Sequence, residues 1–114
     1  ELLLSFIGKI ADVLVEHIGV ANMQAVYKAQ ITHDFNTKAV NSYNRDIYKM
    51  FHDILERGIT REEFKTDIPV DTLTMHFMLA IRGVTYEWCI RYPDFDYKKQ
   101  ALAHFKLLLK GLIN

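Results

Sequence analysis

Five histidines, His17, His33, His52, His76 and His104, are the first residues that could do chemistry. An imidazole binds a metal or moves a proton near neutral pH. Either task needs partners at fixed spacing. A helical zinc site takes the form H-E-x-x-H, and a di-iron bundle needs carboxylates with two E-x-x-H pairs. No histidine here has a glutamate in either frame, and the five are scattered one to a segment. The plainer reading is surface imidazoles, with His52 and Glu56, four residues apart, as a solvated pair. Cys89 is the single cysteine, so no disulfide can form within the chain and no cysteine knuckle can hold a metal. Its nearest basic residue at helical spacing is Arg82, on the adjacent arc, which makes a packed thiol the better reading than a sensor. There is no glycine-rich phosphate loop and no G-x-S-x-G elbow. Catalysis has no positive sign in these residues. The expectation is a protein that is not an enzyme and takes no metal or cofactor.

Polar residues on otherwise apolar helix faces are the better constellation. Gln30, Asp34 and Asn44 fall on the same sides as Tyr27, Tyr43 and Phe51. A mostly apolar cavity with a few placed hydrogen-bonding groups has this composition. The candidate ligand-binding set is Tyr27, Gln30, Ile31, Tyr43, Asn44, Ile47, Phe51 and Phe77. The alternative is that Gln30 and Asn44 bond to each other or to backbone, while the tyrosines pack with wet hydroxyls.

The segments that must position these residues read as helices. Leu3, Phe6, Ile7, Ile10, Val13, Leu14 and Ile18 share one face of a helix over 2–18, with Gly19 as its stop. Asn22 is placed to cap a second helix running to about His33. Residues 34–37 look like a loop. A third helix is expected from Lys38 to Arg57, ended by Gly58, with Val40, Tyr43, Ile47, Met50, Phe51 and Ile54 inward. Thr60 and Glu63 have capping-box spacing. Asp71 can cap a helix over 70–91, which Pro93 must end at or before Tyr92. A last helix runs from about Tyr97 to Lys110. No stretch alternates as a strand would. The fold expected is an all-α bundle of about five helices forming a single domain over 1–114.

The helix over 70–91 carries two apolar stripes. Leu73, Phe77, Ala80, Val84 and Trp88 form one, and Met75, Met78, Tyr86 and Cys89 form the other. One stripe is enough to lie on a core. Two imply cover from two directions. Gly83 sits between them in the helix interior, where glycine costs ~1 kcal/mol against alanine. Close approach of another backbone would account for it. One stripe is therefore expected to face the core and the other a second copy of the chain, although periodicity does not say which. A central helix of a larger monomeric bundle is the alternative.

Composition removes several partners. The chain of 114 residues is 50% apolar, with 14 basic and 14 acidic side chains interspersed. Zero net charge provides no long-range attraction to nucleic acid or to an anionic membrane. No apolar run approaches the ~20 residues of a membrane span. The lone cysteine agrees with a reducing cytosol, so a cytoplasmic location is expected. Glu1 already lies inside a helical pattern, which points to a preceding segment.

From Gly58 onward the sequence becomes specific. It carries E-R-G-I-T-R-E-E-F-K-T-D-I-P-V-D at 56–71, A-I-R-G-V-T-Y-E-W at 80–88 and L-L-L-K-G-L at 107–112. This pattern resembles the C-terminal regulatory domain of TetR-family transcriptional regulators. There a helix ends at glycine, a G/R-E-F-R/K-x-D turn follows, a long helix carries glycine and a later tryptophan, and a final helix ends in Gly-Leu. Gly58, Glu63, Phe64, Lys65, Asp67, Gly83, Trp88, Gly111 and Leu112 match those places. The match covers about half the chain; the rest is similar only in being amphipathic helices in suitable order. The resemblance implies a homodimer through the last two helices of each subunit, packed as a four-helix bundle. With the stripe argument, the expected interface is Met75, Met78, Arg82, Gly83, Tyr86, Cys89, Phe105, Leu109 and Leu112. It also implies a small-molecule effector pocket among the earlier helices, and DNA binding only through an N-terminal helix-turn-helix that lies outside these residues. The alternative expectation is a free-standing helical dimer that serves as an adaptor or scaffold without a ligand.

Overall fold

Each segment with a 3.6-residue period is helical in the computed structural model, which describes residues 2–32 and 38–112, leaving aside the side chains of 38–43. The described residues form five α-helices: α1 Leu2–Asp12, α2 Val20–Thr32, α3 Lys38–Thr60, α4 Val70–Arg91 and α5 Tyr97–Lys110. The end of α1 widens into π-helical turns over Val13–Ile18. No strand occurs among the described residues. None of their helices is long and apolar enough to cross a membrane.

Local chemistry explains most of the boundaries. Gly19 takes φ 84°, the left-handed side, and its N–H donates to the Leu14 carbonyl at 2.7 Å. Asn22 is not the N-cap of α2, which begins earlier at Val20. Its side-chain amide donates to the Ile18 carbonyl at 2.6 Å, so it satisfies the open end of the preceding turns instead. α4 ends at Arg91, ahead of Pro93. Asp96 caps α5 by accepting the Lys99 N–H at 3.2 Å.

The α3–α4 connection departs from the expected capping. α3 passes through Gly58 and ends at Thr60, so the Thr60–Glu63 box does not form. The chain reverses at Glu62, with φ 61°, and the N–H groups of Glu63 and Phe64 close back on the Gly58 carbonyl at 2.8 and 3.1 Å. The Phe64 ring then covers Gly58, where an added Cβ would overlap it. The Lys65 N–H donates to the Leu112 carbonyl at 2.7 Å and ties this turn to the end of α5. Asp71 does not cap α4, whose N-cap is Pro69; its carboxylate meets His52 Nε2 at 3.1 Å.

The core forms where α1 and α3 meet α4 and α5. Phe51 of α3 is fully buried, with Phe6, Phe77 and Phe105 around it at centroid distances of 5.1, 6.1 and 6.0 Å. These lie within the ~4.5–7 Å that aromatic pairs prefer. A second knot joins α4 to α5. Trp88 lies 5.0 Å from Tyr97, and the Thr85 hydroxyl donates to the Ile81 carbonyl at 2.7 Å. Having given its proton there, Thr85 accepts from the Tyr97 hydroxyl at 2.8 Å.

Candidate functional site

Two features of α4 stand apart from the core: its outward face, and the space between it and α2. Leu73, Thr74, Phe77, Met78, Ile81, Val84, Thr85, Trp88 and Cys89 are all buried within the subunit. This buried arc is wider than one stripe because α2, α3 and α5 all pack on α4. It takes in Met78 and Cys89, both expected on the partner stripe; here they are 3% and 6% exposed and out of a partner's reach. Phe105, Leu109 and Leu112 are likewise in the subunit core, at 0%, 6% and 7% exposure, rather than on its surface.

The opposite face holds Met75, Leu79, Tyr86 and Ile90, each between 43% and 57% exposed. With Gly83 they step by four, four, three and four residues along one side of α4. That spacing puts them on one exposed face of the helix. Leu79 and Ile90 complete it; the spacing signal for them is that they stand four residues from Met75 and Tyr86. At Gly83 an added Cβ would meet nothing within 4 Å, so no part of the subunit approaches it. A groove of about 460 Å³ runs beside it, between Leu79 and Gly83 of α4, Phe95 of the connection, and Gln100 and His104 of α5. Leu107, 65% exposed, is the large apolar side chain that α5 leaves in solvent.

Of the expected ligand-binding set, the fold gathers three residues around one cavity. Tyr27, Asn44 and Ile47 line it with Met78, Arg82 and Thr85. The cavity is about 60 Å³, room for about two waters at ~30 Å³ each and well below the ~300 Å³ at which ligand pockets begin. Phe51 and Phe77 are packed into the aromatic core instead, where neighbouring rings fill the space. Gln30 is half-buried on α2 and does not line this cavity. Ile31 is 67% exposed and turns away to a second hollow. Tyr43 (as a side chain), Asp34 and His33 lie outside the described residues.

The second hollow is an open groove of about 280 Å³ between α2 and the C-terminal half of α4, lined by Gln24, Tyr27, Lys28, Ile31, Thr32, Tyr86, Cys89 and Ile90. The Gln24 amide donates to the Cys89 carbonyl at 2.7 Å and holds the two helices together there. Tyr27 lines both spaces and meets Tyr86 edge-on at 5.7 Å. Burial pushes the Tyr27 phenol up to about 12, helped by the nearby Cys89; the neighbouring Thr85 hydroxyl and the charge of Arg82 pull the other way. Burial also pushes the Cys89 thiol up, which keeps it protonated and slow to react.

Among the described residues the histidines do not converge. Among the described residues, the one gathering with metal-ligand chemistry is His52, Asp53 and Glu56, whose ligand atoms lie within 4.8 Å of one another. The His52 contact goes to Asp71 at 3.1 Å, with Asp53 at 3.9 Å, rather than to Glu56. The packing of α4 on α3 brings Asp71 there, which spacing along α3 alone could not reveal. His17 and His76 are exposed, and His104 lies edge-on to Phe105 at 5.9 Å.

Comparison of the chain with protein-family models, curated protein sequences and solved structures finds no match.

Proposed function

We propose that this chain is the effector-binding and dimerisation domain of a TetR-like transcriptional regulator. It acts in the cytosol as a homodimer and controls DNA through a helix-turn-helix ahead of Glu1, with no catalytic step of its own. The observation that carries the reading is the outward face of α4: an apolar seam around a glycine with open space above it. A helix interior gains from alanine at such a place unless another backbone comes close. The link from Lys65 to Leu112 adds support, because it couples two parts of the matched pattern, the E-F-K-x-D turn and the terminal Gly-Leu.

The mechanism is differential binding. Two arrangements of α1–α3 against the α4–α5 pair would hold the DNA-reading heads at different spacings. A small apolar effector that prefers one arrangement shifts the population toward it, by no more than its difference in affinity for the two. Sedimentation of the chain across micromolar concentrations tests the first step. A dimer is expected, and Leu79→Glu should dissociate it by placing a carboxylate in the seam; a monomer at every concentration would sink the proposal. An intact gene product with no helix-turn-helix ahead of Glu1 would remove the regulator while leaving the dimer. One observation favours that second reading, an adaptor dimer without a ligand: the inner cavity is only about 60 Å³.

A further inference from the structure

We infer that Tyr27 is a movable partition, and that with its ring swung aside the inner cavity and the outer groove become one site for a small amphipathic carboxylate. The inference deepens the regulator reading and rests on it for its role. The two spaces, about 60 and 280 Å³, share the Tyr27 side chain as a wall. Neither is large enough alone; together they come to 340 Å³, inside the range of small-molecule sites. The principal aromatic neighbour of the ring is Tyr86 and not the phenylalanine core, so the ring can turn within the groove without displacing that core.

The chemistry at the two ends differs, and this selects the ligand. The outer end is mostly apolar, between Ile31, Ile90 and the Tyr86 ring, with Lys28 as the one charged side chain in its lining. The inner end has Arg82, Asn44 and Thr85. Arg82 is the charge there, and among the described residues no carboxylate lies within ion-pair distance of it. Arg82 and Tyr27 line the same cavity, so the guanidinium stands beside the space that the ring would vacate. A guanidinium takes a carboxylate in a two-pronged, charge-assisted pair, with the Asn44 amide able to supply a further hydrogen bond. The apolar body of the ligand would then occupy the groove and cover Ile31.

The test is calorimetric titration of the full chain with decanoate, below its micellar concentration, and with decanol, which has the same body without the charge. Decanoate is expected to bind once per chain and at least ~10-fold more tightly than decanol, as a charge-assisted pair implies. Arg82→Gln, an exposed position, should erase that preference. Tyr27→Ala should tighten decanoate by removing the partition, while Tyr27→Phe, which keeps the ring, should bind it at close to the native affinity and serves as the folded control. Equal affinity for the two probes, no heat from either, or a preference that survives Arg82→Gln would overturn the site. Sedimentation of the same samples separates the two ideas. A dimer that ignores decanoate leaves the regulator reading standing without this site; a monomer that binds decanoate through Arg82 leaves the site without that reading.

Discussion

Replacing Gly83 with alanine should move two measurements in opposite directions. Within one subunit, the new Cβ meets no atom within 4 Å. The helix gains what alanine has over glycine in a helix interior, ~1 kcal/mol. For a domain of this size that corresponds to a rise in melting temperature of about 4 °C. The effect on association has the other sign. If a partner helix lies against the seam, a two-fold dimer places the new methyl at the contact twice. Overpacking costs ~1 kcal/mol or more at each site. Two sites make ~2 kcal/mol, which weakens the dimer about 30-fold. Denaturant melts at a concentration where the chain is monomeric report the first effect, and sedimentation equilibrium reports the second. Separating them matters, because a dimer's melting temperature depends on its concentration. A Kd that is unchanged, or tighter, in a subunit that has gained stability would refute the seam: nothing would be close to Gly83 in the assembly either. A subunit that loses stability would refute the open space itself.

Two further predictions concern the α3–α4 turn and the Tyr27 phenol. Gly58→Ala should cost ~1–3 kcal/mol in urea unfolding, because the methyl overlaps the Phe64 ring; in a Phe64→Ala background most of that cost should vanish, and strictly additive losses would show that the ring is not the obstacle. Tyr27, held up at about 12 chiefly by burial, favours its neutral form in the folded chain. Its contribution to stability is therefore full below the ordinary tyrosine value near pH ~10, and is lost as pH rises toward its folded value of about 12. Urea midpoints measured up that range should fall less steeply for Tyr27→Phe than for the native chain, and identical slopes would reject the assignment.

Much of the fold was written in local patterns. Five helices, the stop at Gly19 and the end of α4 before Pro93 follow from periodicity and from the backbone limits of glycine and proline, which act within a few residues. The inward placing of Phe51 follows from the same period. Capping was less legible. Asn22, Thr60 and Asp71 are good cap residues by type, yet the helix starts fell elsewhere once Gly58 had accepted two N–H groups and His52 had met Asp71. Side-chain chemistry allows a cap; the path of the chain decides whether it is used.

The sequence by itself determined that α4 must be covered on more than one side, because apolar residues surround most of its circumference. Only the tertiary structure decided that Met78 and Cys89 belong to the core while Leu79 and Ile90 do not, since that depends on how many neighbours pack on α4 and at what angle. The candidate pocket divides in the same way. Polar groups among tyrosines can be read from spacing, but a volume cannot, because empty space is what remains after every neighbouring side chain has been placed.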